Sequence, residues 1–183
     1  MFRFFSKLIL IKILKWKTVG SFADLPKVVV AVFPHTSNYD FVLAIMIRSI
    51  IKEEINYVGK KELFNPLTSW FFKGLGGAPL NRAGNQNVVE GIVKIYNERD
   101  TFRLAIAPEG TRKRVDDWKT GFYYIAKGAN VPIQLVAFDY PKREVVFYPV
   151  FTPTKDIEKD FHKMKSYFKG VVGKNQENAT LGL

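Results

Sequence analysis

Pro34-His35-Thr36-Ser37-Asn38-Tyr39-Asp40 decides the fold, because it separates two apolar segments of different kind. Before it stands Val28-Val29-Val30-Ala31-Val32-Phe33, a short β-branched run that reads as a buried strand. After it stands Phe41-Val42-Leu43-Ala44-Ile45-Met46-Ile47, which predicts a helix from residue 39 to about residue 51. That helix is apolar nearly all round, Arg48 being the main exception, so it is buried or lipid-facing. The heptapeptide is therefore a strand-to-helix turn. It holds one of the chain's two histidines; the other, His162, falls in a predicted surface helix over 155–169.

The turn carries candidate chemistry. A neutral imidazole accepts a proton near pH 7. It does so best when a carboxylate fixes its tautomer and stabilises its charged form. Asp40 follows in the same turn, and a tight entry into the helix brings it back against the ring. Ser37 or Asn38 is the candidate helix cap. The heptapeptide alone leaves a second reading open, in which Asp40 complements the helix dipole and His35 is a loop residue.

A second stretch bears on that choice. Arg103-Leu104-Ala105-Ile106-Ala107 reads as another buried strand and runs into Pro108-Glu109-Gly110-Thr111-Arg112. Ligands of α/β sheets collect outside the carboxyl ends of the strands. If the two strands are parallel, both polar clusters face one crevice. With both on the page, the chain resembles the glycerophospholipid acyltransferase family. His35 to Asp40 matches its H-x4-D box and Pro108 to Arg112 its P-E-G-T-R box. Gly77-Ala78-Pro79-Leu80-Asn81-Arg82 looks like the middle box, which ends in arginine, and Val131-Pro132-Ile133 looks like the last. H-x4-D alone is a weak signal; four boxes in the family's order over residues 35–133 are a strong one.

The resemblance implies an O-acyltransferase of phospholipid biosynthesis. It would move a fatty acyl group from acyl-CoA or acyl-ACP to the free hydroxyl of a lysophosphatidate-type acceptor. It implies His35 as base and Asp40 as its orienter. It also implies acceptor binding by Arg82, Glu109, Gly110, Thr111 and Arg112, with Glu109 holding the polar acceptor and the loop and Gly110 letting backbone N–H groups approach a substrate oxygen. Arginine suits a phosphate because it binds in a bidentate fork and keeps its charge. No acyl-enzyme is required, so Ser37 reads as a cap rather than a nucleophile. No metal and no cofactor beyond the thioester donor are expected. The chain departs from the family's pattern at Pro34, Asn81, Ala107 and Gln134, which spares the pair His35 and Asp40. The alternatives are an acyltransferase for another lysolipid, such as an amino-acid-containing one, and a non-catalytic membrane-binding relative.

Composition bounds the partners. The formal charge of +11 over 183 residues calls for an anionic one: a membrane, a phosphorylated substrate, an acidic carrier protein or nucleic acid. No recognition helix or aromatic RNA-binding motif supports nucleic acid, so none is expected. Sixteen phenylalanines fit a greasy core or a lipid-facing surface. With no cysteine, disulfides, thiolate metal sites and cysteine nucleophiles are excluded. Residues 1–17 carry five basic groups and no acid among Phe, Ile, Leu and Trp. They predict a basic amphipathic helix lying in an anionic membrane interface, or else packed on the domain's own core with its lysines snorkelling. The longest apolar run there, 8–11, is far short of the roughly 20 residues that span a bilayer. A peripheral or monotopic protein on the cytoplasmic face of a membrane is expected.

The rest of the chain alternates. A short strand over 55–58, a helix over 67–75 bearing Trp70, Phe71 and Phe72, and an amphipathic helix over 85–98 come before the second strand. A helix to residue 127 closed by Gly128, strands over 131–138 and 145–150, and the helix with His162 come after it. The glycines at 74, 76 and 77 lack the spacing of a nucleotide motif and read as a flexible approach to Arg82. The tail after Gly170 reads as frayed. The fold class is α/β, a largely parallel central sheet flanked by helices with an N-terminal basic amphipathic helix. The expected division is an interface helix over 1–20 and an acyltransferase domain over 21–183.

Overall fold

The computed structural model describes residues 1–80 and 88–180. Its frame is a five-stranded sheet in the order β1-β7-β6-β2-β5. The strands are β1 (Lys17–Val19), β2 (Lys27–Phe33), β5 (Phe102–Ile106), β6 (Ile133–Asp139) and β7 (Glu144–Phe151). β2 lies parallel to both β5 and β6, β1 lies parallel to β7, and only the β6–β7 hairpin is antiparallel. The largely parallel α/β architecture is thus observed. A second sheet of two parallel strands, β3 (Tyr57–Lys60) and β4 (Gly77–Leu80), meets β5 through a single bridge from Asn56 to Leu104.

Six α-helices flank the sheets: α1 (Phe2–Ser6), α2 (Tyr39–Ile51), α3 (Ser69–Gly74), α4 (Val88–Glu98), α5 (Gly121–Gly128) and α6 (Ile157–Ser166). β2 explains why both sheet faces are covered. Val29, Ala31 and Phe33 join one cluster with Leu104, Leu135, Ile92, Phe122 and Met164. Val28 and Val30 join the other with Leu43 and Ile47 of α2 and with Leu10 and Trp16. Burying Leu43 and Ile47 contributes about 1.5–3 kcal/mol apiece. That fixes α2 on the sheet, and with it the turn that precedes it.

The N-terminal helix continues past α1 as a wider π-type turn, Lys7–Ile13. It is two-sided. Leu10 is buried and the Arg3 Nε donates to the Ile50 carbonyl of α2, while Phe2, Phe4, Phe5 and Ile13 are exposed. Among the described residues no helix is long and apolar enough to cross a membrane.

Two expectations need correction. The glycine-rich stretch is not simply a flexible approach, because Gly77 begins β4; a side chain there would meet the Phe72 carbonyl at 2.7 Å, so glycine is needed for the close approach. The residues before β2 are tied to the sheet as well. β1 pairs with β7, and the buried Gln134 of β6 accepts from the Ala23 N–H and donates to the Ser21 and Tyr148 carbonyls, which ties the connecting segment down. The tail after Gly170 is not frayed over residues 171–180: it returns to the sheet's carboxyl edge, where the Val172 carbonyl accepts from the Tyr140 N–H and Thr180 is buried.

Candidate active site

Because β2 and β5 run parallel with Val28 opposite Arg103 and Ala31 opposite Ile106, their carboxyl ends open on one edge. Both motif turns meet there. The His35 Nδ1 lies 3.2 Å from the Asp40 Oδ2. The same oxygen accepts from the Thr36 N–H at 2.9 Å and the Ser37 N–H at 2.8 Å, so the carboxylate folds back over the turn that leads to it. The other oxygen, Oδ1, accepts from the Tyr140 hydroxyl at 2.6 Å. Asp40 is 1% exposed and His35 is partly open. The Ser37 hydroxyl accepts from the Tyr39 N–H at 3.2 Å within the turn, while the N-cap position of α2 belongs to Asn38, without a side-chain capping bond.

The electrostatics follow from these bonds. Burial by itself pushes the Asp40 carboxyl up, but the bonds from His35, Tyr140 and Ser37 outweigh it and hold the group below the usual value for an aspartate. The Tyr140 hydroxyl is pushed up by burial and by the charge it donates to. Asp40 is therefore an ionised carboxylate that accepts from Thr36, Ser37 and Tyr140, and the ring beside it has its Nδ1 occupied. That leaves Nε2 as the nitrogen free to take a proton from a bound hydroxyl.

Glu109 is fully buried and faces inward. Its Oε2 accepts from the His35 backbone N–H at 2.7 Å and its Oε1 from the Thr180 hydroxyl at 3.1 Å. Burial raises its pKa, and the bonds from His35 and Thr180 oppose that only in part. Of the two tasks the resemblance gives it, the geometry fits holding the loop and not contact with an acceptor. Gly110 sits in the same turn with a left-handed backbone. Its own N–H donates to the Ala107 carbonyl and is not free for a substrate; what requires glycine is φ of 66°. The Thr111 hydroxyl accepts from the Lys113 N–H. Arg112 is exposed, shares a cleft of about 150 Å³ with His35 and Asp40, and makes no salt bridge to a described carboxylate. Arg82 lies outside the described residues.

The cleft adjoins an apolar cavity between α2 and the sheet. The two share Val32, Phe41, Ala44, Tyr57, Ala105 and Phe138. The cavity runs to Arg48, whose Nη1 donates to the Leu75 carbonyl at 2.5 Å. Beyond Arg48 a second hollow opens, lined by Phe2 of α1 and by Gly74 and Leu75 at the end of α3. A polar cleft bearing His35 and Asp40 thus adjoins an apolar space between α2 and the sheet.

Sequence reasoning missed Tyr140 and the tail residues that touch the site. Tyr140 sits in the β6–β7 turn, Asp139-Tyr140-Pro141-Lys142-Arg143, and an aromatic in an otherwise polar turn is the one local signal for it.

Comparison with known proteins bears on the family and the fold. Residues 22–139 match the protein-family model Acyltransferase. Among solved structures the fold is similar to that of the 1-acyl-sn-glycerophosphate (LPA) acyltransferase PlsC from Thermotoga maritima, with a TM-score of 0.63 and 18% identity over 92% of this chain and 75% of that one. The search of curated proteins found no match.

Proposed function

This chain belongs to the acyltransferase family, and from that premise we propose that it transfers a fatty acyl group from a thioester to the free hydroxyl of a lysophosphatidate-type acceptor. The observation that carries the reading is His35 held by Asp40 at the mouth of an apolar cavity, with Arg112 on the same cleft. The His35 Nε2 takes the acceptor's hydroxyl proton as the oxygen attacks the thioester carbonyl. The tetrahedral intermediate collapses with loss of the thiolate, and the imidazolium returns the proton to sulfur. Asp40 steadies the positive ring through both steps. The acyl chain occupies the apolar cavity, where each buried methylene is worth about 0.8 kcal/mol. Arg112 takes the acceptor's phosphate, with Arg82 as its partner by resemblance. The donor is acyl-CoA or acyl-ACP; acidic acyl carrier protein suits the chain's +11 charge.

The test is a thin-layer assay with labelled acyl donor and a panel of lysolipids. Lysophosphatidate is expected to be the best acceptor. Arg112→Lys keeps the charge and loses the fork. A charge-assisted bond to a partly desolvated phosphate is worth about 1.5–3 kcal/mol, so kcat/KM for that acceptor is expected to fall by roughly 10- to 100-fold, with little change for the donor. Acceptor kinetics indifferent to Arg112→Lys would move the choice to a lysolipid without that phosphate. A wild type that transfers to no member of the panel would favour the non-catalytic relative.

We also assign the protein to an anionic membrane surface, peripherally bound. Phe4 is 68% exposed on α1 and Trp70 is 74% exposed on α3, with Leu67 and Phe71 beside it. Phe2 and Gly74 line one hollow, so the two apolar patches are neighbours, and that hollow meets the far end of the apolar cavity at Arg48. Arg3, Lys7 and Lys12 supply charge at about 1 kcal/mol each near an anionic surface, screened by salt. In flotation with phosphatidylglycerol vesicles the wild type is expected to rise with the lipid. Phe2, Phe4 and Phe5 changed together to serine should leave it at the bottom in high salt. Equal flotation of both proteins would put the surface elsewhere.

A further inference from the structure

The chain leaves α6, turns at Gly170 with φ of 79°, and comes back along the turn that carries His35. Val171 packs on the main core, and the contacts that follow it fall on the site. The Val172 carbonyl accepts from the N–H of Tyr140, the residue whose hydroxyl holds Asp40. Gly173 lies so close to the turn that a methyl group there would meet the Thr36 Oγ1 at 2.8 Å and the Pro34 Cβ at 3.1 Å. The Lys174 ammonium stands 3.1 Å from the centre of the Tyr39 ring. The Asn175 backbone N–H donates to the Thr36 Oγ1 at 3.1 Å, and its side-chain nitrogen donates to the Thr36 carbonyl at 3.2 Å. The Thr180 hydroxyl donates to the Glu109 Oε1 at 3.1 Å.

We propose that residues 170–180 form a strap that holds the catalytic turn in its working geometry, with Asn175 and Thr180 as its positioning residues. The inference rests on the acyl-transfer reading of His35 and Asp40. Each positioning residue acts one step away from that pair. Thr36 gives its N–H to the Asp40 Oδ2, so fixing Thr36 through Asn175 fixes the orienter of the ring. Glu109 receives the His35 N–H on one oxygen and the Thr180 hydroxyl on the other. Without Thr180 the second oxygen of a fully buried carboxylate loses the donor it has among the described residues. The carboxylate then turns toward another donor or takes up a proton, and both outcomes loosen its grip on the backbone of His35. Three polar contacts from a tail that lies on the surface elsewhere, all on one turn and its buried carboxylate, are more than general packing requires.

The test uses the full chain and three variants, Thr180→Val, Thr180→Ser and Asn175→Ala. Hydrogen exchange of the amides in residues 34–41 is read by mass spectrometry, and kcat and KM by acyl transfer. Thr180→Val and Asn175→Ala are expected to speed exchange in that peptide about tenfold, with β6 unchanged, and to lower kcat about tenfold with KM for both substrates unchanged. Thr180→Ser restores both. Exchange like the wild type's, or faster exchange with kcat untouched, overturns the strap. A wild type that transfers no acyl group overturns the functional reading instead, while the exchange rates still decide whether the strap holds the turn.

Discussion

His35→Ala is expected to lower acyl transfer by about 10²–10⁴ while leaving the melting temperature close to the wild type's. The rate falls because no other imidazole is near: His162 lies on α6. Stability survives because His35 is partly open, and because Asp40 keeps Thr36, Ser37 and Tyr140 as donors after the ring is gone. The truncated space suits small bases, so added imidazole should restore part of the activity. Full activity in a folded His35→Ala protein would remove the mechanism.

Asp40→Asn is expected to be nearly as damaging to rate and distinctly worse for stability. One amide oxygen can still accept from the Thr36 and Ser37 N–H groups, but the second position becomes a donor facing the Tyr140 hydroxyl. Losing a buried charged acceptor costs about 1–3 kcal/mol, and the imidazolium loses its counter-charge. The pH dependence separates the two effects. Asp40 ionises below its ordinary value in the fold, so its contribution is full above the range in which an unfolded aspartate titrates. It disappears as pH falls through the depressed value. The gap in unfolding free energy between wild type and Asp40→Asn should therefore be widest near neutrality and close in acid. Glu109 works the other way. Its raised pKa means that its contribution is full below the unfolded value and declines as pH rises through the folded one. Both proteins carry Glu109, so its contribution cancels except for the part of its rise that comes from the Asp40 charge, and that part leaves with Asp40. Urea unfolding at a series of pH values measures the difference, and a gap that does not narrow in acid would show that Asp40 is held by packing rather than as a carboxylate.

The parts of this fold that announce themselves in sequence are those in which local pattern and tertiary demand coincide. β2 must be apolar on both sides because helices cover both faces, and the helix over 39–51 coincides with α2. The approach of Asp40 to His35 was legible for the same reason, since both lie within one turn. What stayed hidden was long-range. β1 is three exposed residues that become a strand only because β7 offers an edge. The antiparallel return of β7 is set by the short turn holding Tyr140, and nothing near Asp40 in the chain points to that hydroxyl. Asn175 and Thr180 look like ordinary tail residues, because their partners, Thr36 and Glu109, stand far back in the chain. Gln134 departs from the family's pattern as written, yet its amide has a structural task in tying residues 21–23 to the sheet.

The bridge at Asn56 has a mechanical consequence. Its N–H donates to the Arg103 carbonyl and its own carbonyl accepts from the Ala105 N–H, and the ladder between the two sheets is that one rung. One rung resists sliding far less than a ladder does, so β3 and β4 are held to the frame chiefly by their side chains, with Ala78 and Val58 packed into the cluster on the face of the main sheet. Tyr57, the next residue, is a wall shared by the cleft and the apolar cavity. Apolar burial, rather than backbone pairing, keeps that wall where it stands.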